Sequence, residues 1–132
     1  MTGERDLDKM LLSLAPELLE GEYVFCTVEN ARYGDNLHLV PMAAIVEREG
    51  LTLVIPRLKA DEHSIHYESV FRCITLNVHS SLDAVGLTAT VATRLAERGI
   101  SANVIAGYFH DHIFVPLAQA ENALAVLGAG DE

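Results

Sequence analysis

Basic residues are scarce in this chain. Nine Lys plus Arg stand against nineteen Asp plus Glu, a formal net charge of −10, and the nine are scattered rather than gathered into a patch. Such a surface repels a phosphate backbone, so nucleic acid is not an expected partner. Long apolar runs are missing as well: no stretch approaches the roughly 18 residues that cross a bilayer, and a membrane is not an expected partner either. The opening MTGERDLDKMLLSLAPELL carries acids near its start and only a short apolar stretch, unlike a signal peptide, which leads us to expect a cytoplasmic protein. Only two cysteines occur. Cys26 and Cys73 each lie inside an apolar strand-like run, YVFCTV and VFRCITL, and read as buried small hydrophobes in a reducing compartment. G-x-S-x-G, P-loop and dinucleotide fingerprints are also absent.

What is present is globular. The 132 residues are 50% hydrophobic and 21% charged, enough for one compact unit or two very small ones. Leu7, Met10, Leu11 and Leu14 fall at helical spacing until Pro16 stops them, which predicts a short amphipathic helix over 6–15. Residues 22–28, EYVFCTV, are rich in β-formers and predict a strand. After a turn-rich loop, residues 38–47 and 51–55 predict two strands joined at Glu49-Gly50, and Pro56 opens a short helical stretch. A strand returns over 70–78. Ala84, Leu87, Thr88, Val91 and Leu95 then share one helical face, Gly99 closes that helix as a left-handed cap, and Arg94 and Arg98 suit its C-terminal dipole. Residues 100–108 alternate Ile100, Ala102, Val104, Ala106 and Tyr108 on one face of a strand. Phe109-His110-Asp111 make a hairpin loop, 112–116 the returning strand and 118–127 a last helix.

Residues 70–127 thus run strand, helix, strand, strand, helix, and a ferredoxin-like βαββαβ unit lacks only its last strand. Something else must supply it. Leu53-Val54-Ile55-Pro56 followed by Ala60-Asp61 matches Phe114-Val115-Pro116 followed by Ala120-Glu121, and Tyr23-Val24-Phe25-Cys26 resembles Val70-Phe71-Arg72-Cys73. A duplicated α/β unit follows, with an N-terminal half over 1–68 and a C-terminal one over 69–132. Each incomplete copy is completed by the other through shared strands, and helices cover one face of an antiparallel sheet.

The stretch HSSLDAVGL, residues 79–87, raises a question of chemistry. A glycine at position 86, in the expected first turn of a helix starting near Leu82, costs about 0.5–1 kcal/mol relative to alanine. Ser80 and Asp83 have the S-x-x-D spacing of a capping box, which would set a helix N-terminus and its positive dipole end at the exit of the strand. Two readings stay open: Ser80 merely caps the helix and Gly86 allows close packing, or Gly86 leaves room for a ligand backbone.

The run VHSSLDAVGLTATVATRLAERGISANVIAG resembles the signature of the ACT domain, a small-molecule-sensing βαββαβ module of amino-acid metabolism. Asp83-Ala84-Val85-Gly86 stands where that family usually has Asp-x-Pro-Gly. Over residues 20–127 the chain is similar to small bacterial stand-alone proteins with tandem ACT-like units and to the regulatory region of aspartate kinases. The resemblance implies a non-catalytic regulatory protein that binds a small molecule, most plausibly an amino acid. In that picture His79, Ser80, Ser81, Leu82, Asp83, Val85, Gly86 and Leu87 form one wall of the site, and Asn103, Val104, Ile105, Ala106 and Gly107 the other. The ligand carboxylate faces the helix amides, and Ser80, Ser81 and Asp83 offer oxygens to its ammonium. A homodimer is expected because an incomplete unit leaves strand edges exposed. No cofactor is expected.

Two rival readings stand beside it. A purely structural dimerisation module needs no ligand. An enzyme would draw on His110-Asp111-His112, whose i and i+2 positions share a strand face, or on Asn77 and His79 near Ser80. A single His-x-His at a hairpin tip, with no H-E-x-x-H, is more often an exposed or hydrogen-bonded turn, so neither a metal nor catalysis is expected.

Overall fold

The structure is a computed structural model that describes residues 14–77 and 86–129. Seven strands and three helices occur among them: β1 (Pro16–Leu18), β2 (Tyr23–Val28), β3 (Ala43–Val46), β4 (Leu51–Pro56), α1 (Arg57–Glu62), β5 (Phe71–Leu76), α2 (Leu87–Glu97), β6 (Asn103–Ala106), β7 (Asp111–Pro116) and α3 (Ala120–Ala129). The chain divides into two compact units, Gly21–Phe71 and a second that joins the segment before Gly21 to Arg72 onward.

In the Gly21–Phe71 unit β4 is central. It pairs antiparallel with β2, from Tyr23↔Pro56 to Val28↔Leu51, and with β3, from Ala43↔Val54 to Val46↔Leu51. Period-two alternation puts Val24 and Cys26 of β2 and Leu51, Leu53 and Ile55 of β4 into one core, closed by Leu39 and by Ala60 of α1. Phe71 pairs with Tyr23. The strand expected over 38–47 is shorter than its pattern suggests. Leu37–Leu39 form a 3-10 turn, Val40 adopts a left-handed φ of 54°, and pairing starts only at Ala43. Pro41 has no N–H to give a ladder, and the buried Leu39 pulls the turn inward as a plug.

The second unit supplies the missing strand. Its strands lie in the order β1, β5, β7, β6. β1 runs antiparallel to β5 with Pro16↔Leu76, Glu17↔Thr75 and Leu18↔Ile74 in register, and β6 runs antiparallel to β7 from Asn103↔Phe114 to Ala106↔Asp111. A strand from the N-terminal end thus completes the ferredoxin-like unit that residues 70–127 leave one strand short. Ile74, Leu76, Ile113 and Val115 face Leu87, Val91 and Leu95 of α2 and Ala120, Ala123 and Leu127 of α3, with Leu14 and Ile100 in the same core. The alternation expected over 100–108 holds only at its start: Ala102 and Val104 pack on this core, whereas Ala106 ends the strand and both it and Tyr108 are exposed. The left-handed cap at Gly99 is present, with φ 72° and the Ile100 N–H donating to Leu95 O at 2.9 Å.

The helix expected over 6–15 falls almost wholly on residues 1–13, outside the described residues. At its end the chain is not helical, since Ala15 has a left-handed φ of 45° and Leu14 already lies in the core.

Candidate functional site

His79, Ser80, Ser81, Leu82, Asp83 and Val85 lie outside the described residues. Both flanks of that stretch are described. On the strand side, Asn77 is committed to structure: its backbone N–H donates to Leu14 O and its side-chain amide to Ala15 O, each at 3.0 Å. On the helix side, α2 starts at Leu87, later than the expected start near Leu82. Gly86 therefore sits at the N-cap rather than inside the first turn. Its φ of 99° and ψ of −25° are left-handed, a conformation that costs an L-residue about 1–2 kcal/mol. That backbone requirement accounts for the glycine without any ligand. A glycine N-cap also brings no side-chain acceptor, so the first N–H groups of an eleven-residue helix receive no cap from it. Leu87 is buried in the core and reaches this end through its amide only. Gly86→Ala is expected to lower stability by about 1–2 kcal/mol in urea unfolding, and an unchanged midpoint would show that the turn relaxes out of the left-handed region.

Asn103, Val104, Ile105, Ala106 and Gly107 are brought together along β6 and the turn after it, but β7 lies between β6 and β5. They therefore face the exit of β5 across an intervening strand, about 10 Å away by ordinary strand spacing. Val104 packs on the core, while Asn103 and Ala106 are exposed. Gly107 has a packing reason of its own. It donates to His110 O at 2.8 Å to close the hairpin, and an added Cβ would meet that same oxygen at 2.9 Å and His112 Nε2 at 3.3 Å.

A buried polar relay crosses from β5 to β7. Thr75 is buried, and its Oγ1 lies 3.0 Å from His112 Nδ1. The Thr75 hydroxyl also bonds the Cys73 thiol, yet burial outweighs that bond and pushes the thiol up to about 11. So high a value keeps Cys73 an unreactive thiol at neutral pH. His112 is held below its ordinary value of 6.5, first by burial and then by His110, with Asp111 opposing. The sign follows directly. Below pH 6.5 the unfolded chain takes up a proton that folded His112 refuses, so this residue favours folding above that pH and loses its contribution as pH falls toward the lower folded value. Urea unfolding at pH 7.5 and pH 5.5 is expected to show a larger acid loss for the parent than for His112→Asn; equal losses would remove His112 as the cause. Among the described residues no group of three His, Cys, Asp or Glu is placed to hold a metal.

Sequence reasoning missed an open depression in the Gly21–Phe71 unit. About 550 Å³ in volume, it is lined by Gly21, Glu22, Pro56, Arg57, Leu58 and Asp61. Arg57 Nη1 donates to Glu22 Oε1 at 2.8 Å and Nε to the Tyr67 hydroxyl at 3.1 Å, and that hydroxyl donates to Asp61 Oδ1 at 2.9 Å. Asp61 Oδ2 lies 3.8 Å from Arg57 Nε. The i, i+4 step from Arg57 to Asp61 on α1 was visible in the sequence, but Glu22 joins them only through the pairing of β2 with β4, where the Arg57 N–H donates to Glu22 O at 2.8 Å.

Residues 2–72 and residues 68–129 each match a family model described as an ACT domain. A Vibrio cholerae protein of unknown function, named a possible transport protein, is 52% identical over 98% of this chain and 99% of its own, with a TM-score of 0.88. The regulatory subunit of aspartate kinase from Thermus thermophilus has the same fold at a TM-score of 0.64, with 11% identity over 91% of this chain and 99% of its own. A protein from Agrobacterium tumefaciens reaches 0.71 at 15% identity, covering 87% of each chain. No curated protein matches. With the strand order of a ferredoxin-like unit completed by β1 and a family match over each half, the chain belongs to the ACT domain family.

Proposed function

We propose that this protein is a non-catalytic regulatory module that binds an amino acid at the junction of β5 and α2. The observation that carries the reading is the start of α2, where a helix opens on a left-handed glycine that offers no side-chain cap, in a chain whose two halves both match the ACT domain. Helix amides and the positive dipole end there suit a carboxylate. Ser80, Ser81 and Asp83 would take the ammonium, with His79, Leu82 and Val85 beside them. The amides of Gly86 and Leu87 would hold the carboxylate, and Asn103 to Gly107 would form the more distant wall. The two repeats, 1–68 and 69–132, would act as one cytoplasmic sensor, paired with a second copy as a homodimer. A dimerisation module without ligand is the second reading, favoured by edge strand β3, whose Ile45 and Val46 are exposed.

A thermal-shift screen of the twenty amino acids on the full chain separates the two. An amino acid that binds only the folded state, at a hundredfold excess over its Kd, stabilises by about 2.7 kcal/mol and raises Tm by several degrees. A screen in which none of the twenty moves Tm, on a protein that light scattering finds dimeric, would sink the sensor reading in favour of the structural module.

A further inference from the structure

We infer that His38 and His63 form a binding site for a divalent transition metal, with Zn²⁺ as the fitting ion. Both belong to the Gly21–Phe71 unit, whereas the junction of β5 and α2 belongs to the other, and the site needs no part of the reading given for that junction. The two rings meet with their centroids 5.0 Å apart and their planes at 72°. Two imidazoles on one tetrahedral Zn²⁺, each nitrogen about 2.0–2.1 Å from the metal, set their ring centres roughly 5 Å apart. The separation in the protein is the one the ion would impose. Both residues are exposed, and neither side chain has a hydrogen bond or an ion pair among the described residues. His66 and His112, by contrast, are engaged by Glu68 and Thr75.

Each of the two histidines stands beside a backbone outlier. Val40, two positions after His38, has φ 54° and ψ 56°, and Ser64, next to His63, has φ 55°. A β-branched residue in the left-handed region is rare, and such strain gathers at ligand clamps. The turns that carry it are pinned. Leu39 is fully buried, its N–H donates to Asn36 O at 3.0 Å, and the Val40 N–H donates to Leu37 O at 2.9 Å. On the other side the His63 N–H donates to Lys59 O at 3.1 Å and the Ile65 N–H to Ala60 O at 2.8 Å. Fixed backbone thus delivers both rings to one place.

The first turn also holds an oxygen that lacks a donor. Asn36 Oδ1 is buried and accepts no hydrogen bond among the described residues, and a metal-bound water is a donor of the kind it lacks. No third His, Cys, Asp or Glu is placed with the pair among the described residues, which leaves two of four tetrahedral positions to water and makes the site an open one. Imidazole donors select zinc over magnesium or calcium, and a net charge of −10 draws cations to the protein. A metal held here ties the Leu37–Leu39 turn, whose Leu39 plugs the core, to the end of α1, so binding stabilises the unit.

Zn²⁺ itself is the probe, titrated by calorimetry into the untagged full chain. One ion per chain with low-micromolar Kd is expected, and the ring ¹⁵N signals of His38 and His63 should move together. His38→Gln and His63→Gln should each weaken binding at least tenfold, while His66→Gln leaves it unchanged. The urea midpoint of the parent should rise with Zn²⁺ and return with EDTA, and neither weakened variant should respond. If His38→Gln loses its dispersed amide spectrum, His63→Gln decides alone, because it lies outside the buried turn. Affinity unaltered by His63→Gln, ring shifts at His110 and His112 instead, or binding no tighter than millimolar would show an adventitious ion only and overturn the site.

Discussion

Leu14→Ala is expected to lower the stability of the protein by about 2–5 kcal/mol, although the residue stands far from the repeat it supports. Leu14 is fully buried and lies in one core with Ile74, Leu76, Leu95 and Leu127. Truncation removes the transfer free energy of the lost carbons and leaves a cavity that neighbours on β5 and α3 fill only in part. The segment after it is tied to β5 along its length: Asn77 N donates to Leu14 O at 3.0 Å, Leu19 N to Cys73 O at 2.9 Å, and Arg72 Nη2 to Leu19 O at 2.9 Å. Those bonds hold Leu14 in place, so the chain has little freedom to collapse around the hole. Urea unfolding is the measurement, with Val46→Ala as the comparison, since Val46 is 77% exposed and its truncation should stay within about 0.5 kcal/mol. A Leu14→Ala effect as small as that of Val46→Ala would mean that the N-terminal segment is not part of the second core.

Thr75→Val should cost about 1–3 kcal/mol, despite the near-identical shape of the two side chains. The Thr75 hydroxyl is the shared partner of His112 Nδ1, at 3.0 Å, and of the Cys73 thiol. A methyl group in its place leaves the His112 nitrogen desolvated and unpartnered, and that penalty exceeds the net value of the bond it replaces. Thr75→Val combined with His112→Phe removes both ends of the bond and should be less destabilising than the sum of the two single changes. Additive effects, or a Thr75→Val variant as stable as the parent, would show that the pair is idle.

The sequence revealed elements wherever the local signal was long and single-minded. β2, β4, β5 and β7 were found to within a residue or two because each is a run of β-branched and apolar residues, and the body of α2, though not its start, because Leu87, Val91 and Leu95 repeat at helical spacing. β1 went unseen. Three residues, Pro-Glu-Leu, carry no periodicity, and only the edge of β5 makes them a strand. At position 86 the right residue was marked for the wrong cause, since a helical pattern cannot show that its first residue begins beyond a left-handed turn. The chemistry of the sites was the least visible, because it is written in register. Thr75 meets His112 across 37 positions and Glu22 meets Arg57 across 35, and neither pair leaves a local trace.

The place of β1 also sets an order of events during synthesis. Pro16 is made early, and its partner Leu76 comes sixty positions later (76 minus 16). At about 5–20 residues per second the wait on the ribosome is roughly 3–12 s. Through that interval Leu14 and Leu18 have no second core to join, and the strand presents an unpaired backbone. On a polysome, the β1 strands of neighbouring nascent chains compete for the edge of one β5, so slower synthesis lengthens the interval open to an exchange of first strands.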